Sequence, residues 1–321
     1  MDQLKVQPGT GVADQLLDPD LNVRLAAMMR LNEELDPEAL PALILALRDP
    51  DASLRRMAVG LLEELGDPEA IAPIIAAVED ESPDVRAAAK AALREFRGTD
   101  AAPPMIAAAT HPNPEVRQAV MVGLRELKDP RAVGALSAAT TDADPQVRRD
   151  AVTSLGYLKL RETIPVLRAA MRDVDAYVRR LAIGAMAFFK DASLIPDFDA
   201  ALSDSDWQVR QEAAIVLGRF DGEQVRAPLT RALTDPAWQV VKEAAIAAGR
   251  LRIPATMQLM ALLRHEQPDL RKNGALALGE LKEVAATSEL QRLLDDPDVE
   301  ARKAAGRALQ AIAATPRLPT A

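Results

Sequence analysis

An arginine returns at a fixed stride along this chain, at Arg24, Arg55, Arg86, Arg117, Arg148, Arg179 and Arg210, each 31 residues after the last. The next station falls on Val241, where the arginine is missing. Two more follow at Arg271, after a one-residue deletion, and Arg302, which makes ten copies in 321 residues. A period of this length marks stacked repeats, in which each unit buries its apolar face only against its neighbours. It predicts one continuous core rather than the two or three separate domains that length alone would suggest.

Each copy reads as two helices. In Asp67–Phe96, Asp67 caps, Pro68 opens the first helix, and Glu69–Val78 carries one apolar face. Pro73 falls near the first turn, where a missing N–H is least harmful, and Pro41, Pro104, Pro165, Pro196 and Pro228 stand at similar places. After a turn, Ser82 caps and Pro83 opens a second helix expected to run to Phe96. The capping station, four residues before the arginine, is held by Asp20, Asp51, Ser82, Asn113, Asp144, Asp175, Asp206 and Asp298, whereas Ala237 and Gln267 break the pattern. A short side-chain oxygen there accepts from the free N–H groups of the first turn, and aspartate also suits the positive end of the helix dipole.

Three columns of the second helix point to the core. Three residues after the arginine the side chain is small, as at Ala58, Ala151 and Ala213; seven after, it is Leu62, Leu93, Leu124 or Leu155; ten after, it is Leu65, Phe96 or Phe220. Residues three and four apart share a helix face, so small and large side chains alternate along one seam. Aromatics are 3% of residues and the apolar total is 49%, so aliphatic side chains must build that core. Around Trp238–Leu251 the copy lacks its arginine, its capping aspartate and its column leucine, replaced by Ala248, and irregular structure is expected there. Residues 1–11 read as a loose lead-in, 12–313 as a single solenoid with Val12–Leu17 as a truncated first helix, and 314–321 as a disordered tail.

Several classes of chemistry are excluded. The chain has no cysteine, hence no disulfide, thiolate metal site or cysteine nucleophile. Its 39 basic and 48 acidic residues leave a charge of −9, which disfavours nucleic acid as a partner. No secretory leader and no run able to span a bilayer is read, so a cytoplasmic location away from membranes is expected. No Ser-His-Asp set, phosphate loop or metal spacing occurs, and neither a cofactor nor a metal is expected.

The candidate site is a surface. Trp207 and Trp238, each followed by a glutamine, Gln208 and Gln239, hold one station in adjacent copies, so stacking sets them side by side as a binding patch or as packing over a loop. Tyr177 extends the patch. Just after the repeat arginine, Arg149, Arg180, Lys242 and Lys272 form a polar edge that could meet an acidic partner or simply be solvated. One residue further on, Asp150, Glu212, Glu243 and Asn273 suggest a wetted groove, broken by Leu181; carboxylates one repeat apart, roughly 8–10 Å, make no catalytic dyad.

The unit D-P-x-A-x-x-x-L-x-x-A-L-x-D-x-D-x-x-V-R-x-x-A-x-x-A-L-G-x-L resembles the HEAT-like repeat of phycobilisome lyase subunits over about Val12–Ile312. The resemblance implies an all-α superhelix, an α-α solenoid of about ten HEAT-like two-helix repeats with the second helices on the concave side. It also implies that Arg86, Arg117 and Arg148 bond aspartates and carbonyls of the inter-helix turns. His265 and Glu266 are similar to one His-Glu pair of di-iron HEAT-repeat hydroxylases, which need several, so that activity is not expected. The expected function is a non-catalytic scaffold or assembly factor holding a client protein on the concave face, centred on repeats five to nine. By resemblance, the alternatives are a bilin lyase-type subunit acting on a phycobiliprotein and a partner of iron-sulfur assembly proteins. The bilin-accepting thiol or the cluster ligands would then belong to the partner.

Overall fold

The computed structural model describes residues 12–314, and every regular element among them is helical. The expected lead-in and all but Ala314 of the expected tail lie outside the described residues. The chain divides into two compact units at Val166/Leu167, each a stack of helical hairpins. The boundary falls within one helix, α11 (Ile164–Ala170).

In the first unit the second helices of successive hairpins are α2 (Leu21–Glu33), α4 (Ala52–Leu65), α6 (Pro83–Ala92), α8 (Pro114–Leu127) and α10 (Pro145–Leu158). Their partners are α1 (Val12–Gln15), α3 (Leu40–Ala46), α5 (Ile71–Ala77), α7 (Ala102–Ala108) and α9 (Val133–Ala139). The second unit holds the second helices α12 (Ala176–Ala187), α14 (Trp207–Leu217), α16 (Trp238–Arg250), α18 (Pro268–Leu281) and α20 (Val299–Ala313). Between them run α13 (Ile195–Ala201), α15 (Arg226–Ala232), α17 (Thr256–Leu262) and α19 (Thr287–Arg292).

First helices are short because their entrances use up the chain. Most begin with a 3-10 turn, such as Pro37–Ala39, Pro68–Ala70 or Pro130–Ala132, capped by an aspartate that accepts from the N–H two residues on. The later prolines, Pro41, Pro73 and Pro196 among them, all fall in the first three α-helical residues. Second helices follow the expected capping pattern with one correction. Asp20, Asp51, Asn113, Asp144, Asp175, Asp206 and Asp298 each accept a backbone N–H, but the Ser82 side chain does not. The same helix, α6, also stops at Ala92 rather than Phe96, because Arg94 and Glu95 tighten into 3-10 turns on Ala91 and Ala92.

The alanine column is buried throughout, and Leu62, Leu93, Leu124, Leu155 and Leu217 are fully covered. The third column is shallower: Phe96 is buried, while Leu65, Leu127 and Phe220 are half-buried. Irregularity at repeat eight is displaced from where the sequence puts it. Helix α16 runs unbroken from Trp238 to Arg250, and the departure comes after it: Arg252 turns left-handed at φ 52°, and α17 starts at Thr256 with no 3-10 turn. Positive φ recurs at Lys128, Lys159, Lys190 and Lys282, the same C-terminal station that Gly66 fills in an earlier copy.

The repeat arginines are turn staples. Arg24, Arg55 and Arg117 in the first unit pair with Asp49, Asp80 and Asp142, and Arg179, Arg210 and Arg271 in the second with Asp204, Asp235 and Asp296, always 25 residues ahead. Each guanidinium also donates through Nη1 to the carbonyls five and six residues behind it, as Arg179 does to Asp173 at 2.8 Å and Val174 at 3.3 Å. The arginine holds Asp80, Asp142 and Asp296 below the ordinary carboxylate range. Burial pushes Asp204 up, yet Arg179 and the Asp206 N–H together bring it below that range too. Arg86 donates to the carbonyls of Asp80 and Glu81, but His111 stands where its aspartate would be. His265 likewise replaces that aspartate in the copy after the missing arginine. Both imidazoles accept the N–H two residues on through Nδ1, the role the aspartates play elsewhere.

Candidate functional site on the second helices of the second unit

With one side of each second helix packed on its hairpin partner and two edges on neighbouring second helices, one strip is left to solvent. Side chains four apart lie one above another on a helix, so that strip is read along i, i+4, i+8 and i+12. On α14 and its C-terminal extension it runs Trp207, Gln211, Ile215, Arg219; on α16 it runs Trp238, Lys242, Ile246, Arg250. Helix α18 continues the rows with Lys272, Leu276 and Glu280. Ile215, Ile246, Leu276, Arg219 and Arg250 were missed by reading one column at a time; the four-residue spacing from each tryptophan is the signal that finds them.

Of the thirteen residues singled out from the sequence, Arg149 and Asp150 stand on α10 in the first unit, where Gln146 bridges them locally. The other eleven all belong to the second unit. Trp207 is 37% exposed and Tyr177 44% exposed, so neither is packed away. Trp238 is half-buried with the Lys242 ammonium 5.8 Å from its ring centre. The Arg180 guanidinium lies 4.5 Å over the Tyr177 ring. Gln208 is exposed beside Trp207, and Gln239 is half-buried.

The acidic column is drier than a solvated edge. Glu212 is half-buried, and burial raises its carboxyl above the ordinary value against the opposing pull of Arg219 and Arg180, with Glu243 adding to the rise. Glu243 pairs with Lys242 at 3.3 Å. Asn273 is buried, its Nδ2 donating to the Asp269 carbonyl at 2.7 Å. Between α16 and α18 lies a cleft of about 350 Å³ walled by Ile246, Gly249, Arg250, Asn273, Leu276 and Glu280. Its floor is set by close helix approach: a Cβ added to Gly249 would come within 2.8 Å of the Ala277 Cα.

Among the described residues no group of three or more His, Cys, Asp or Glu side chains could hold a metal, and no helix is long and apolar enough to cross a membrane. What the surface offers is exposed aromatic rings, an aliphatic row and cations, spread over several parallel helices.

The family model for HEAT repeats matches residues 11–94, 40–110, 72–156, 134–198, 164–250 and 256–320. The chain is a HEAT-repeat protein. The fold recurs among solved structures at low identity. The Escherichia coli protein YibA is 19% identical with a TM-score of 0.61, over 84% of this chain and 100% of YibA. A chain from the complex of Kap95p with RanGDP is 14% identical with a TM-score of 0.62, over 94% of this chain and 48% of that one. Importin beta is 16% identical with a TM-score of 0.56, over 94% and 50%. This HEAT-repeat chain therefore spans about half the length of those two chains. No curated protein matches it.

Proposed function

We propose that this HEAT-repeat protein is a non-catalytic scaffold or assembly factor that holds a client protein on the solvent-facing strip of its second helices, with α14, α16 and α18 as the centre. The observation that carries the reading is the duplicated row Trp-x3-Gln/Lys-x3-Ile-x3-Arg on two adjacent helices. Exposed aromatics beside cations are the side chains that dominate protein interfaces, and a stacked helical surface presents them over a length that suits a protein better than a small molecule. Kap95p, which shares the fold, is described in complex with the protein RanGDP. A cytoplasmic setting fits this role.

Replacing Trp207 and Trp238 together by serine tests it. The pair of changes should abolish client capture in native cell extract while circular dichroism keeps its helical signal; unchanged capture with intact folding counts against the reading. Bilin attachment to a phycobiliprotein and partnership with iron-sulfur assembly proteins, raised by resemblance, are the alternatives to this role. A bilin absorbance or a cluster absorbance in the captured complex would select one of them.

A further inference from the structure

Resting on the scaffold reading, the charges of this surface specify what kind of segment it takes. Residues 167–321 hold 21 basic and 21 acidic side chains, so the whole net charge of −9 belongs to residues 1–166. Within the second unit the two signs are sorted by position. Asp204, Asp235 and Asp296 are tied to the staple arginines in the turns, and Asp206 and Asp298 cap helices. The second-helix strip keeps Arg180, Arg219, Lys242, Arg250, Lys272 and Lys303, against Glu212, Glu243 and Glu280, while Asp269 and Glu300 stand in the first turns of α18 and α20 and Glu300 pairs with Lys303 at 2.9 Å. The guanidinium groups of Arg219 and Arg250 make no hydrogen bond or ion pair among the described residues, in contrast to every staple arginine of this unit. Between the two rows of cations runs the aliphatic row, with Ile246 46% exposed.

We infer that this strip binds an extended acidic segment of a partner protein, its carboxylates meeting Arg219, Arg250, Lys242 and Lys272 and its apolar side chains resting on Ile215, Ile246 and Leu276. The spacing sets the register. Neighbouring helices pack about 8–10 Å apart and an extended chain advances about 3.3 Å per residue, so an acid at roughly every third position meets successive helices. Residues 1–11, with Asp2 and Lys5, and residues 315–321, with Arg317 as their charged side chain, hold no such acidic segment. Nucleic acid fits less well, because Glu212, Glu243 and Glu280 share the strip with the cations and the aliphatic row has no use for phosphates.

The test is fluorescence anisotropy with the full chain and a labelled peptide of about 12 residues repeating Glu-Leu-Ser, long enough to cross about four helices. Three comparison probes replace Glu by Lys, replace Leu by Ser, or are an oligothymidylate. The expected result is saturable binding of the Glu-Leu-Ser peptide that weakens with added salt, with poorer binding of the Glu-Ser-Ser peptide and none of the lysine peptide or the oligonucleotide. Arg219→Gln with Arg250→Gln should lower affinity by about tenfold or more, and Lys272→Gln gives an independent check should that pair disturb folding. Absence of saturable binding, equal binding of the lysine peptide, tighter binding of the oligonucleotide, or unchanged affinity in the folded variants overturns the inference. Should client capture depend on Trp207 and Trp238 while the acidic peptide fails to bind, the scaffold stands and the acidic segment falls.

Discussion

Arg179 and Asp204 give the sharpest way to ask what holds one repeat to the next. Truncating Arg179 to alanine removes two charge-assisted bonds to Asp204, both 2.7 Å, and two more to the carbonyls of Asp173 and Val174. It leaves the carboxylate with the Asp206 N–H at 2.8 Å. Both side chains are 13% exposed. Breaking a fully buried pair costs about 3–5 kcal/mol and an exposed one about 1 kcal/mol or less, so a mostly buried staple at a turn should cost about 2–3 kcal/mol. A double-mutant cycle with Asp204→Ala, read by urea unfolding, should return a coupling of about 1–2 kcal/mol. Hydrogen exchange should show the loss as faster opening at the turns around α12 and α14, since a stacked repeat feels a break mainly at the neighbouring interface. The internal control is Lys90–Glu115, whose side chains are 33% and 51% exposed and whose coupling should stay near 0.3 kcal/mol. Equal coupling for the two pairs would refute the claim that the staples, rather than surface charge in general, fix the hairpin stack.

Acid should act through the same groups. Asp80, Asp142, Asp204 and Asp296 sit below their ordinary values when folded, so their stabilising contribution is complete above the unfolded aspartate value of about 3.9 and is lost as pH falls through the folded values. A urea midpoint that is level from near neutral pH down to about 5 and drops below about 4 is the expected titration. Leu124→Ala, at a fully buried position, should cost about 2–5 kcal/mol in urea unfolding, and a change within error would mean the register is wrong. Two glycines should respond in opposite directions. Gly60→Ala meets nothing and should raise stability by about 0.5–1 kcal/mol, whereas Gly249→Ala drives a Cβ into the Ala277 backbone and should lower it by about 1–3 kcal/mol.

Repetition made the fold legible, because one physical constraint was written ten times over. Asp51, Asn113 and Asp206 announce helix starts by a local bond that needs no tertiary information, and the Ala and Leu columns fall on the face they must bury. Ser82 shows the limit: a residue type that can cap does not do so here, and its helix is also the shortest of the second helices. Repeat eight shows another. The changes at Ala237, Val241 and Ala248 predicted a disturbed α16, but the helix tolerates a lost cap and a lost staple, and the irregularity falls in the turn after it, where Arg252 is left-handed and α17 starts without a 3-10 turn. The partner-side residues were only half legible. Trp207 and Trp238 stand out by rarity, whereas Ile215 and Ile246 look like core residues in sequence, and only the structure shows that their row faces away from the hairpin partner. The charge sorting of the second unit was hidden in the overall balance of −9.

The central claim, that the solvent-facing strip of α14, α16 and α18 is where a client sits, is tested most directly by placing a photo-crosslinking amino acid, one site at a time, at positions 215, 246 and 276, with exposed Thr234 in a turn as the control site. Irradiation in the native cell should trap the same client from all three strip positions and not from position 234. Adducts forming equally well at the control site, or at none of the strip positions while the protein stays folded, would contradict it.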